Sequence, residues 1–216
     1  MEYSLDEIEA RILGVLIEKQ MTTPDYYPLT LNALLNGCNQ KSNRNPVMNC
    51  DENEVESALQ RLREKHLVWQ VKTHGSRTVK FEHNMKEAVD FSADELGIIC
   101  VLLLRGSQTI GELKSRTTRM VEFHGLAAVE HILQKLMSHE KGPFVEKQAR
   151  MPGQKESRYA QLFCMSEQEE LGSDNTGKKE DADNDRVDQL AEKVDVLEAE
   201  LQDLRMQFSE FKRQFE

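Results

Sequence analysis

The chain has 216 residues, 38% hydrophobic and 31% charged, with a formal charge of −10. No run approaches eighteen apolar residues, which excludes a transmembrane helix, and Met1-Glu2-Tyr3-Ser4 has neither the basic nor the apolar region of a secretory signal. Taken alone, the acidic balance argues against nucleic acid, whose phosphates an acidic surface repels.

The first predicted element is a helix opened by Ser4-Leu5-Asp6-Glu7, read as a capping box with Ser4 as the cap. Leu5, Ile8, Ile12, Val15 and Leu16 lie on one face of it. A second helix carries Leu31 and Leu34. A polar segment, 39–50, separates it from a third helix with Val55, Leu59 and Leu62. A β-hairpin follows, from Val68-Trp69-Gln70-Val71-Lys72 and Thr78-Val79-Lys80-Phe81-Glu82 around Gly75.

The same order then recurs. Ser92-Ala93-Asp94-Glu95 is a second capping box. It opens a helix through Leu96, Ile99, Cys100 and Leu103 that is apolar almost all round, hence central. Ile110 and Leu113 match Leu31 and Leu34, and Val129, Leu133 and Leu136 match Val55, Leu59 and Leu62. The second hairpin runs from Phe144 to Phe163 around Gly153. Helix, helix, helix, hairpin is the order of a winged helix-turn-helix. The expected fold is therefore mainly α with small β-hairpins: tandem winged helix-turn-helix domains at 1–88 and 89–165. The first copy carries nine extra residues between its first two helices and five between its second and third. Those insertions are candidate functional elements, since insertions go to loops.

The composition changes near Cys164. Residues 166–185 hold one leucine and many acids, the pattern of a flexible linker. Val187, Leu190, Val194, Leu197, Leu201, Leu204, Phe208, Phe211 and Phe215 then recur at alternating steps of three and four. That heptad period predicts a C-terminal coiled-coil helix over 186–216, self-associating as a homodimer, with Lys193 facing Glu198 and Glu200 facing Arg205 across the seam. Folding back onto the body is the alternative. Residues 1–165 carry 21 Lys+Arg against 22 Asp+Glu, a net of −1. The rest carry 7 against 16, a net of −9. The acidity belongs to the tail.

The body resembles the YceH-like family of bacterial proteins of uncharacterised function. The resemblance rests on Thr22-Thr23-Pro24, Tyr27-Pro28-Leu29, the run from Cys38 to Val47, Leu102-Leu103-Leu104-Arg105-Gly106, Gln108-Thr109, Gly111-Glu112-Leu113, Arg116, Arg119-Met120, Pro152-Gly153 and Arg158-Tyr159. It implies tandem winged helices and a cytoplasmic protein, and it implies no activity.

Candidate nucleic-acid contacts come from three basic groups. Asn39, Gln40, Lys41, Asn43 and Arg44 lie in the second insertion, the 39–50 loop. Asn and Gln can read adenine, and Arg can read guanine or phosphate; equally, Asn side chains can stabilise turns by bonding backbone. The hairpins carry Lys72, His74, Arg77 and Lys80, then Lys147, Arg150, Lys155 and Arg158, placed to lie along phosphates or simply to be solvated turns. Lys114, Arg116 and Arg119 surround the turn between the second copy's second and third helices. Against base reading, the third helix opens with Asp51, Glu52, Glu54 and Glu56 in copy one and Gly125, Leu126, Ala127 and Ala128 in copy two.

Enzymatic motifs are absent: no GxGxxG, GxxxxGK[ST] or HExxH. The four cysteines form no CxxC pair, which suits a reduced cytoplasmic setting, and no metal, cofactor or catalytic role is expected. The expected function is that of a DNA-associated protein, a transcriptional regulator, with no membrane partner. The alternative is a protein–protein scaffold using its winged helices as an adaptor without nucleic acid.

Overall fold

The computed structural model describes residues 3–72, 78–150 and 156–164. Arg77, Lys155, the linker and every heptad position lie outside the described residues.

Thirteen elements follow in chain order. The first copy comprises α1 (Glu7–Thr22), a 3₁₀ turn (Pro24–Tyr26), β1 (Leu29–Thr30), α2 (Leu31–Cys38), α3 (Glu52–Glu64), β2 (Val68–Lys72) and β3 (Val79–His83). A short α4 (Met85–Ala88) leads to α5 (Ala93–Arg105), α6 (Ile110–Thr117), α7 (Leu126–Met137), β4 (Val145–Lys147) and β5 (Tyr159–Gln161). The chain is thus mainly α with two small antiparallel sheets. Among the described residues no helix is long and apolar enough to cross a membrane.

The helix starts obey local chemistry, with one change of register. Asp6, not Ser4, caps α1: its side chain accepts from the Glu9 amide at 2.8 Å, and Glu9 accepts from the Asp6 amide at 2.8 Å. The Leu5 amide, ahead of the helix, donates to the Phe163 carbonyl at 2.8 Å. Ser92 and Glu95 form the expected box on α5, and Asp51 with Glu54 and Thr109 with Glu112 form two more.

The first insertion adds a strand that the hairpin pattern does not reveal. β1 pairs antiparallel with β3, Leu29 opposite Phe81, so the first sheet has the order β1-β3-β2. The second copy keeps only a single bridge at the matching place, Gln108 with Tyr159, bonded in both directions at 3.0 and 2.8 Å.

The two copies share one core. α1 packs along α5, and the buried cluster runs continuously from Ile12 and Leu16 through Ile98 and Leu102 to Leu133 and Phe144. Gly14 permits the close approach: a Cβ there would fall 2.8 Å from Leu104 Cδ2. The Cys100 thiol donates to the Gly14 carbonyl at 3.4 Å. Consequently α1 is buried along its whole middle, Glu9 to Lys19, rather than on one face as its spacing suggests. That burial encloses Glu9, Arg11, Glu18 and Lys19, and charged groups inside a core need partners.

Candidate functional site

The 39–50 loop, the second insertion, folds inward. Asn39 bridges its two ends, its amide nitrogen donating to the Cys50 carbonyl and its oxygen accepting from the Cys50 amide, both at 2.8 Å. The Asn45 amide donates to the Leu104 carbonyl on α5 at 2.8 Å. Asn43 takes up the left-handed backbone at φ 58° that Asn tolerates better than most residues. The peptide bond before Pro46 is cis.

Arg44 is the centre of this loop. Its side chain has no exposure and all five of its N–H groups are engaged. Nε donates to the Gly37 carbonyl at 3.1 Å. One terminal nitrogen reaches the Asn43 carbonyl at 3.0 Å and Glu18 Oε1 at 3.2 Å. The other reaches Glu18 Oε2 at 2.6 Å and Gln40 Oε1 at 2.7 Å. Burial pushes the Glu18 carboxyl up, but the Arg44 charge and hydrogen bond more than offset this and hold it below the ordinary range. Arg11 lies nearby, donating to the Cys38 carbonyl at 3.0 Å and the Pro46 carbonyl at 2.6 Å, while its buried Nε has no partner among the described residues.

Of the residues expected to contact nucleic acid here, Arg44 is buried and bonded to Glu18, Gln40 and the backbone, and the half-buried Asn39 is bonded to Cys50. Of the five residues proposed, Lys41 is exposed and Asn43 half-buried. The thiols bracketing the loop are unreactive in this setting: burial pushes Cys38 up to about 12, and burial also raises Cys50. Sequence reasoning missed Glu18 and Arg11. Their one signal is that both interrupt an otherwise apolar helix.

The hairpin cations divide. Lys72 is exposed at the end of β2, and Lys80 is half-buried on β3. Lys147 is exposed on β4 with its ammonium 5.8 Å from the Tyr159 ring centroid, and Arg150 beyond it is exposed. Arg158 donates to the Ser107 carbonyl at 2.7 Å and to Glu112 Oε2 at 3.1 Å, tying β5 to the start of α6. Arg116 bonds Gln108 and lies 3.5 Å from Glu112. Arg116 and Arg119 line a cleft of about 190 Å³ together with Glu18 and Arg105.

The third helices differ as the sequence implies. On α3 the exposed Asp51 and Glu54 bond each other's amides at 2.8 and 2.9 Å, so these acids serve the helix terminus. α7 begins at Gly125, whose φ of 104° suits glycine, with no side-chain cap and with Leu126 exposed.

Comparison with known proteins gives a consistent answer. The family model described as "Protein of unknown function, DUF480" matches residues 5–154. A UPF0502 protein of Pelobacter propionicus is 47% identical, with all of both chains covered. A UPF0502 protein of Serratia proteamaculans is 44% identical over 96% of this chain and 95% of its own. The UPF0502 protein YceH of Salmonella paratyphi B is 44% identical over 95% of this chain and 94% of its own. The chain belongs to this family.

Proposed function

We propose that this DUF480-family protein is a DNA-associated protein and a transcriptional regulator, built of tandem winged helices over 1–88 and 89–165. It grips duplex phosphates through its hairpins and pairs through a coiled coil at 186–216. The observation that carries the reading is on the second copy. Lys147 and Arg150 are exposed on the hairpin side, and α7 opens with no acid in its first turn to repel a phosphate. Lys72, Arg77, Lys80 and Lys155 complete the proposed set, with Lys41 beside the first copy. Base reading is minor in this account, because α3 flanks the one amide of its opening turn, Asn53, with Glu52 and Glu54, and α7 offers no Arg, Lys, Asn or Gln in its own.

The test is fluorescence anisotropy with a labelled duplex at about 50 mM salt, where phosphate contacts are strong. Reversing Lys147 and Arg150 to Glu should weaken binding for every sequence alike and reduce the salt slope by about 2. Absence of salt-dependent binding by the intact protein refutes the reading.

A second reading, a protein adaptor without nucleic acid, is favoured by the acidic first turn of α3 together with exposed Trp69 on the first hairpin. A stoichiometric protein partner that survives high salt during purification would support it. Nuclease-sensitive material would support the first reading.

A further inference from the structure

We propose that the outer edge of β2 is an interface, pairing antiparallel with β2 of a second copy of this chain about a two-fold axis at Gln70.

β2 stands at the outside of its sheet, whose order is β1-β3-β2. Which of its backbone groups face outward follows from their partners. The Asn84 amide donates to the Leu67 carbonyl at 2.8 Å, whereas the His83 amide turns the other way, to the Tyr27 hydroxyl at 2.7 Å. Bonded and non-bonded pairs alternate along an antiparallel ladder. Trp69 and Val71 therefore bond β3 at Glu82 and Lys80, and the N–H and C=O groups of Val68, Gln70 and Lys72 point away from the sheet. No other described element bonds those groups. Gln70 and Lys72 are exposed although they share a side of the strand with the buried Val68, so the helices leave this stretch uncovered. β2 pairs without a bulge, contains no proline and carries its single charge at one end. An edge without such protection is a template for another strand.

The sequence of β2 selects its partner. Pairing about Gln70 sets every outward residue against an outward residue: Gln70 against the partner's Gln70, and Val68 against the partner's Lys72 and the reverse. Each of these pairs exchanges both of its backbone hydrogen bonds. An axis at Trp69 or Val71 leaves Lys72 or Val68 with no counterpart on β2, and an axis at Lys72 sets like charges opposite each other. On the outer face the same register places Trp69 against the partner's Val71, a favourable aromatic and β-branched cross-strand pair. Trp69 is 42% exposed in the single chain, and this pairing covers it. Two strands of this length are marginal by themselves. The contact therefore closes inside a dimer already held through 186–216, where tethering makes the second contact intramolecular; to that extent it rests on the function proposed above.

Disulfide trapping in the full chain, with sedimentation of the same samples, tests this. In Gln70→Cys the two new β-carbons face each other about 4.5–5.5 Å apart. Mild oxidation should link the copies at that position, as peptide mass spectrometry reads. In Lys72→Cys the two sites are offset along the ladder by about 13 Å, four residues at ~3.3 Å each. That exceeds the ~7 Å between α-carbons that a disulfide spans, so no link should form. Gln70→Pro removes only an outward amide, which an edge strand tolerates. It should leave the chain dimeric through 186–216 while the emission of Trp69, the one tryptophan, moves to longer wavelength. A dimer that Gln70→Cys does not link, or that Lys72→Cys links equally, overturns the proposal and leaves the pairing at 186–216 standing. A monomeric full chain overturns both. Should Gln70→Pro unfold the chain, the two cysteine variants decide the matter.

Discussion

Removing one partner of the Arg44–Glu18 pair should have different consequences according to which partner is lost. In Glu18→Gln the Arg44 guanidinium stays fully buried and cannot shed its proton. It also stays close enough to Arg11 to depress that group's affinity for its proton. Breaking a buried pair costs about 3–5 kcal/mol, and a body of this size loses about 2–4 °C of Tm per kcal/mol. The expected fall is thus about 6–20 °C, nearly flat between pH 5 and 8. In Arg44→Met the stranded group is a carboxyl that can take up a proton. Its pKa rises above the unfolded value, so the cost is full at pH 8 and shrinks as the pH falls through the raised value. In the wild type the sign is reversed: Glu18 is held below its ordinary value, so its stabilisation is complete above the unfolded pKa and is lost as the pH falls through the lowered one. Thermal melts of both variants from pH 5 to 8 separate the cases. Two variants costing under about 1 kcal/mol, the worth of an exposed pair, or showing the same pH dependence, would refute the account of the loop as clamped from within.

Other consequences are checked more simply. His83 accepts from the Met85 amide at 3.3 Å and sits 2.6 Å from Gln20 Oε1, and burial pushes its pKa down from 6.5 to about 4. The neutral ring therefore stabilises the fold above pH 6.5, and about 3 kcal/mol is lost as pH falls to 4; urea melts across that window should be flatter for His83→Gln. A Cβ at Gly37 would lie 2.6 Å from Val15 Cγ1, on a side chain with one favoured helical rotamer. Gly37→Ala should cost about 1–2 kcal/mol, overpacking outweighing the helix-propensity gain of up to ~1 kcal/mol, as denaturant midpoints would show. Asp6→Ala removes the α1 cap and should cost about 1 kcal/mol, whereas Ser4→Ala should be near neutral, which reverses the order expected from sequence. Deleting residues 186–216 should leave a folded monomer by sedimentation, and a truncated body that remains dimeric would remove the heptads from the account.

The helices were legible in their apolar spacing: Leu31 and Leu34 mark α2, and Ile110 and Leu113 mark α6. Ser4-x-x-Glu7 reads as a capping box, yet Asp6 and Glu9 form the one that caps α1. The rest of what escaped was set by distant parts of the chain. β1 is two residues long and exists only against β3. Arg44 reads as a phosphate contact because nothing local reveals Glu18, twenty-six positions earlier in sequence and on another element. Arg158 misleads similarly, since its carboxylate partner stands on α6. In both cases the residue type is legible and its partner is not, and the partner decides whether a cation is structural or available.

The same distinction explains how the two copies have diverged. The first has the longer connections and uses them on the molecule itself: one inserts β1 into its sheet, and the other carries Arg44 into the α1–α5 junction. Its third helix begins with acids bonded to their own amides. The second copy has short connections and a lone bridge in place of β1, and it leaves Lys147, Arg150 and Leu126 exposed. Each half thus both buries and exposes cations: Arg44 is clamped and Lys72 exposed in the first, while Arg158 is tied to Glu112 and Lys147 exposed in the second.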